Sequence, residues 1–192
     1  MSTFEFFFSF YGLILGLSVA VVLSGFTNTL KQRRRVRIGW LSPLLAVFVL
    51  IDIASFWIGA WGAMQDVPIR LFVLVLGLVA AGSYHVAAAM IFPDDFEAWP
   101  DLDAYFDSHK QWVMGGVITA SLIAFEAMPW LTGSTVAEML ARYTSPAMLM
   151  NLFFIGACLV VAMNRNRRLN LAMLVILLFY YAYVAFPRWL WA

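Results

Sequence analysis

Six stretches of this chain run for the length of a bilayer crossing with almost no charge, and that pattern constrains the fold more than any other feature. A helix needs about 20 predominantly apolar residues to cross the hydrocarbon core. Residues 6–30 carry no charge, 38–64 carry only Asp52, 71–92 hold His85, and 111–132 hold only Glu126. Neither 143–164 nor 169–187 contains Asp, Glu, Lys, Arg or His. A helix satisfies its own backbone polar groups, so each stretch is viable in lipid. The reading is an all-α polytopic membrane bundle of six transmembrane helices, over 4–30, 39–64, 70–92, 111–131, 144–164 and 169–188. Together they form a single integral membrane domain across 1–192. Composition agrees: 64% of residues are hydrophobic and 12% charged, against roughly half and a quarter in soluble domains.

Orientation follows from the basic residues in the short loops. Lys31, Arg33, Arg34, Arg35 and Arg37 follow the first helix, Lys110 the third, and Arg165, Arg167 and Arg168 the fifth. The opposite side holds Arg70, Arg142 and Arg188. The heavier side is cytoplasmic, so both termini face outward and the helices form three hairpins turning on the cytoplasmic side. Trp40 and Trp112 fall at inner helix ends, and Trp61, Trp130, Trp189 and Trp191 at outer ones, as an interfacial belt requires. The first span lacks the basic leading residues of a signal peptide and is expected to stay as a helix. No N-x-S/T sequon occurs, which is compatible with a bacterial inner membrane.

Residues 93–110 form an acidic interfacial loop with six carboxylates between positions 94 and 107. Its apolar residues recur at 96, 99, 102, 105 and 106, and Pro100 divides them into two short amphipathic pieces lying against lipid. Three roles are open to it. Its acids match the basic loops on either side and can dock the hairpins, it can present a partner surface, or Asp101, Asp103, Asp107 and His109 can hold a cation. The spacing matches neither an EF-hand nor HExxH.

The remaining ionisable groups lie at membrane depth, where insertion of an aspartate costs about 2.5–3.5 kcal/mol. At about 1.5 Å per residue, Asp52 is near mid-bilayer, His85 about 7 Å to the cytoplasmic side and Glu126 about 7 Å to the outer side. Ser55 lies three residues from Asp52, Tyr84 adjoins His85, and Thr119 shares the face of Glu126, with Ser121 at mid-depth. Such a staggered series suits a proton or cation path. The competing role is interhelical glue. The small pairs Gly77/Ala81 and Gly116/Ala120 permit close helix packing, and Tyr180, Tyr181 and Tyr183 read as packing and interface anchors.

Several chemistries lack their residues. Lys31 and Lys110 sit at helix ends, so no intramembrane lysine can carry a Schiff base, and His85 and His109 differ too much in depth to sandwich a haem. Only one aspartate is deep, and the single cysteine, Cys158, excludes a disulfide scaffold. With no catalytic residues to assign, enzyme chemistry is the least supported class, and no cofactor is indicated. A net charge of +1 gives no pull towards nucleic acid. The expected partners are the lipid bilayer, other membrane subunits or further copies of the chain. Two functions stand: a proton- or cation-linked transporter or channel built on Asp52, His85 and Glu126, or a non-catalytic subunit or scaffold that docks through its apolar flanks and the 94–107 loop.

Overall fold

The computed structural model describes residues 3–65, 67, 70–127 and 135–190, and the described part is all helical apart from one isolated backbone bridge. Seven α-helices follow in order: α1 Thr3–Lys31, α2 Leu41–Met64, α3 Leu71–Ala89, α4 Leu102–Leu122, α5 Val136–Tyr143, α6 Pro146–Met163 and α7 Arg167–Leu190. α4 continues into one π-helical turn, Ile123–Ala127. Five helices are long and apolar enough to cross a membrane by length and composition: α1, α2, α3, α6 and α7. α4 differs because its first turns carry Asp103, Asp107 and Lys110 ahead of the apolar stretch. Pro129 and Trp130, expected at the outer end of the fourth span, lie outside the described residues, as does Trp191. The side chain of Trp189 is likewise not described.

Helix ends follow from local chemistry. Asp101 caps α4, its carboxylate accepting from the backbone N–H groups of Asp103 at 2.9 Å and Ala104 at 3.4 Å. Thr135 and Glu138 close a capping box at α5. Ser145 accepts from the Met148 N–H at 3.3 Å, while Pro146 occupies a position whose missing N–H costs nothing. Between α6 and α7, the Asn164 side chain accepts from the Asn166 N–H at 2.6 Å, and Asn166 does the same for Arg168 at 3.0 Å.

The acidic segment differs from the two interfacial pieces expected. Pro100 stands just before the cap, so the residues after it begin α4 rather than a separate amphipathic helix. Leu102, Tyr105 and Phe106 are buried in the bundle instead of facing lipid. The connection before α6 also holds a helix, α5, where a plain loop was expected.

α1 packs chiefly on α3, α3 on α4, α4 on α6, and α2 on α1 and α7. α2 and α3 touch sparingly although few residues join them. Two glycines show close approaches between helices. A Cβ on Gly77 would meet the Phe7 ring at 2.8 Å, and one on Gly116 would meet the Ser83 carbonyl at 2.5 Å. The core runs through Leu15, Phe48, Ile53, Ala81, Val117 and Leu174. The outer faces are equally apolar: Leu13, Ile58 and Phe179 are more than 60% exposed. Helices apolar on every side are those of a bundle whose solvent is itself apolar.

Candidate functional site

Asp52 sits in the middle of α2, 5% exposed, where a carboxyl group must find donors inside the protein. It finds two. Tyr84 of α3 donates to Oδ2 at 2.9 Å, and Tyr181 of α7 donates to Oδ1 through a short contact. Aromatic neighbours hold both phenols: Phe56 packs edge-on against Tyr84 at 5.1 Å between centroids, and Phe154 edge-on against Tyr181 at 6.1 Å. One carboxyl group therefore ties α2 to its neighbour in sequence, α3, and to the distant α7. Tyr11 and Cys158 are buried as well, and among the described residues the Tyr11 hydroxyl has no hydrogen-bond partner.

The chemistry open to this cluster follows from its hydrogen-bond inventory. An ionised carboxylate only accepts, which suits two phenol donors. A protonated carboxyl group adds an O–H donor and keeps acceptor capacity, and a phenol oxygen can accept as well as donate, so the cluster can hold Asp52 in either protonation state.

The other expected path residues do not join this cluster. Ser55 is half-buried, and both Asp52 oxygens are taken by tyrosines instead. His85 is half-buried with its Nδ1 atom enclosed and unpartnered. Glu126 lies in the π turn and accepts from Tyr143 of α5 at 2.7 Å. Thr119 is exposed, donates to the Gly115 carbonyl at 2.8 Å, and lines a groove between α3 and α4 with Ser83, Gly82 and Trp112. No hydrogen bond among the described residues links Asp52, His85 and Glu126. Ser121 donates instead to Asn151 of α6 at 3.0 Å, a second buried polar pair.

Tyr181 is the functional side chain that sequence reasoning misplaced, as an anchor rather than a partner of Asp52. The available clue was its depth: a tyrosine hydroxyl within a span needs a partner, and Asp52 is the strongest acceptor there.

Around the start of α4 acidic residues pair within the chain. Asp101, besides capping α4, lies 4.0 Å from Arg37. The backbone of Arg37 bridges that of the same segment, donating to the Pro100 carbonyl at 2.8 Å and accepting from the Leu102 N–H at 3.0 Å. Asp103 accepts from the Leu41 N–H at 3.3 Å, under Gly39, whose φ of +64° admits no side chain comfortably. Asp107 accepts from Arg167 at 2.7 Å and lies 3.7 Å from Lys110. Lys110 is itself buried and donates to the Asn164 carbonyl. Burial pulls its ammonium below the usual lysine range, while Asp107 pulls it up.

His109 stacks on Tyr105 at 3.9 Å and meets Trp99 edge-on at 5.5 Å. Burial, with the charge of Asp94, raises the Tyr105 phenol above its ordinary range. Asp101, Asp103, Asp107 and His109 thus point to separate partners. Among the described residues no three or more His, Cys, Asp or Glu converge as metal ligands.

Comparison with known protein families, curated proteins and solved structures finds no match to this chain.

Proposed function

We propose that this is a multi-pass inner-membrane protein of six spans, with three hairpins turning on the cytoplasmic side and both termini outside. Its work is proton- or cation-linked transport, with Asp52 as the group that takes up and releases the proton. The observation that carries this reading is the carboxyl group of Asp52, buried at mid-helix and held by phenols from two other helices. A buried acid at that depth is costly, and the acids retained there are characteristically those of ion paths and proton relays. Both phenols can serve either protonation state of Asp52, because a phenol donates its O–H and accepts on its oxygen. In this scheme His85 stands on the cytoplasmic approach and Glu126, with Tyr143, at the outer mouth. Water is the medium that must connect them to Asp52.

The test is proton flux in proteoliposomes. Wild type is expected to dissipate an imposed pH gradient faster than empty vesicles, and Asp52→Asn to fall to the empty-vesicle rate. Equal rates for wild type and empty vesicles, with the protein folded, overturn the reading.

One observation favours a second reading, a non-catalytic subunit or scaffold. Both Asp52 oxygens are satisfied within the protein, as a purely structural clamp would be. In that case docking falls to the solvent-facing acids Asp94, Asp95 and Glu97, because Asp101, Asp103 and Asp107 are engaged internally. Under this reading Asp52→Asn lowers stability and leaves flux at the empty-vesicle rate throughout.

A further inference from the structure

Pairing on the cytoplasmic side is selective, and what it leaves over is a preformed basic turn. Of the five cations after α1, only Arg37 meets an acid; Lys31, Arg33, Arg34 and Arg35 are exposed and have no ion pair among the described residues. The nearest acids are already occupied, since Asp101 caps α4 and faces Arg37, and Asp103 accepts from the Leu41 N–H.

The turn is also fixed in shape. Arg35 and Val36 donate their backbone N–H groups to the Gln32 carbonyl at 2.8 and 3.1 Å. Val36 is buried, and the backbone bridge of Arg37 to Pro100 and Leu102 pins the far end. Four cations are therefore held on a short, ordered turn directly after an apolar helix, with exposed Trp40 close by in the chain. Exposed tryptophan beside lysine and arginine is the chemistry of the headgroup layer.

We propose that the Lys31–Arg35 turn is a binding surface for anionic phospholipid headgroups. The turn offers fixed donors to phosphate oxygens, and guanidinium groups match phosphate in bidentate fashion. Because the backbone of the turn is ordered beforehand, the entropy lost on binding is that of the side chains alone. The position selects lipid over soluble phosphate, since a headgroup is delivered to the level of the turn by its own acyl chains. The basic residues after α6 do not form an equivalent surface, because Arg167 is drawn to Asp107.

The experiment is native mass spectrometry of the full chain in detergent, with phosphatidylglycerol, phosphatidylcholine or glycerol 3-phosphate as the added probe. Wild type is expected to retain phosphatidylglycerol over phosphatidylcholine, and the preference is expected to weaken with added salt. Substituting Arg33→Gln, Arg34→Gln and Arg35→Gln together should reduce the preference by about fivefold per charge removed. Arg165→Gln with Arg168→Gln should leave it intact. Should the triple variant fail to fold, the single Arg34→Gln variant reads the same loss, at about fivefold. Equal retention of the two lipids overturns the proposal, and so does a preference that survives loss of the arginines. Glycerol 3-phosphate competing as well as the lipid also overturns it, by making the turn a soluble-phosphate site.

Discussion

At Asp52, removing the Tyr181 phenol strands an acceptor in a place water does not reach, whereas once the acid is gone the Tyr181 hydroxyl has no acceptor left to lose. Tyr181→Phe should therefore cost about 1–3 kcal/mol, the usual penalty for an unsatisfied buried group, seen as a lower melting temperature in detergent. In an Asp52→Leu background the same change should cost far less, because the tyrosine hydroxyl has already lost its acceptor. Equal costs in both backgrounds would show that the contact contributes no coupling. Lys110 permits a pH argument. Its folded state holds the proton less tightly than the unfolded chain does, so stability should rise as pH climbs towards the ordinary lysine value of about 10.5. Comparing melting temperatures of wild type and Lys110→Met from neutral to alkaline pH, the wild type should gain relative to the variant. A wild-type melting temperature that stays constant or falls relative to that of the variant would contradict the burial argument. Asp52 was legible in the sequence as the one acid in an apolar run. Tyr181 was not, because it lies 129 positions away and only tertiary packing brings the two together.

Among the elements, α4 shows why local pattern is both informative and incomplete. Asp101 ahead of Leu102 is a helix-start signature, and placing 93–110 in an interfacial loop apart from a span begun at 111 separated residues that belong to one helix. Thr135 and Glu138 form an equally local signature, a capping box three residues apart, which marks α5. What local pattern does not show is which small residues meet a neighbour. Gly115 and Gly116 are adjacent in sequence, yet a Cβ at Gly115 meets nothing within 4 Å while one at Gly116 meets the Ser83 carbonyl at 2.5 Å. Gly116→Ala should thus push α3 and α4 apart at a cost of about 1–3 kcal/mol, the range for overpacking. Gly115→Ala should be neutral or slightly stabilising, as expected for alanine in a helix. Thermal unfolding of the two variants in the same detergent measures the contrast, and similar losses in both would remove the close α3–α4 contact as the cause.

For the whole molecule, apolar run length was enough to reveal an all-helical chain with several membrane-length helices, because the lipid solvent leaves few alternatives. It did not reveal the packing order, since every helix is apolar on both inner and outer faces. α4 is the element on which the proposed topology turns. Five helices qualify as spans by length and composition, and α4 brings charge into its first turns. If α4 crosses the membrane, Glu97 before it and Ala137 after it lie on opposite sides. Both are exposed, and the sole cysteine of the chain, Cys158, is buried, so single introduced cysteines can report their side cleanly. Ala137→Cys should react with a membrane-impermeant maleimide in intact cells, and Glu97→Cys only after the membrane is opened. The reverse pattern would invert the orientation drawn from the basic loops. Labelling of both in intact cells, or of neither, would remove α4 as a span and leave the termini on opposite sides. The proposed proton path would then lose its outer mouth, because Glu126, at the far end of α4, would no longer lie across the membrane from Lys110.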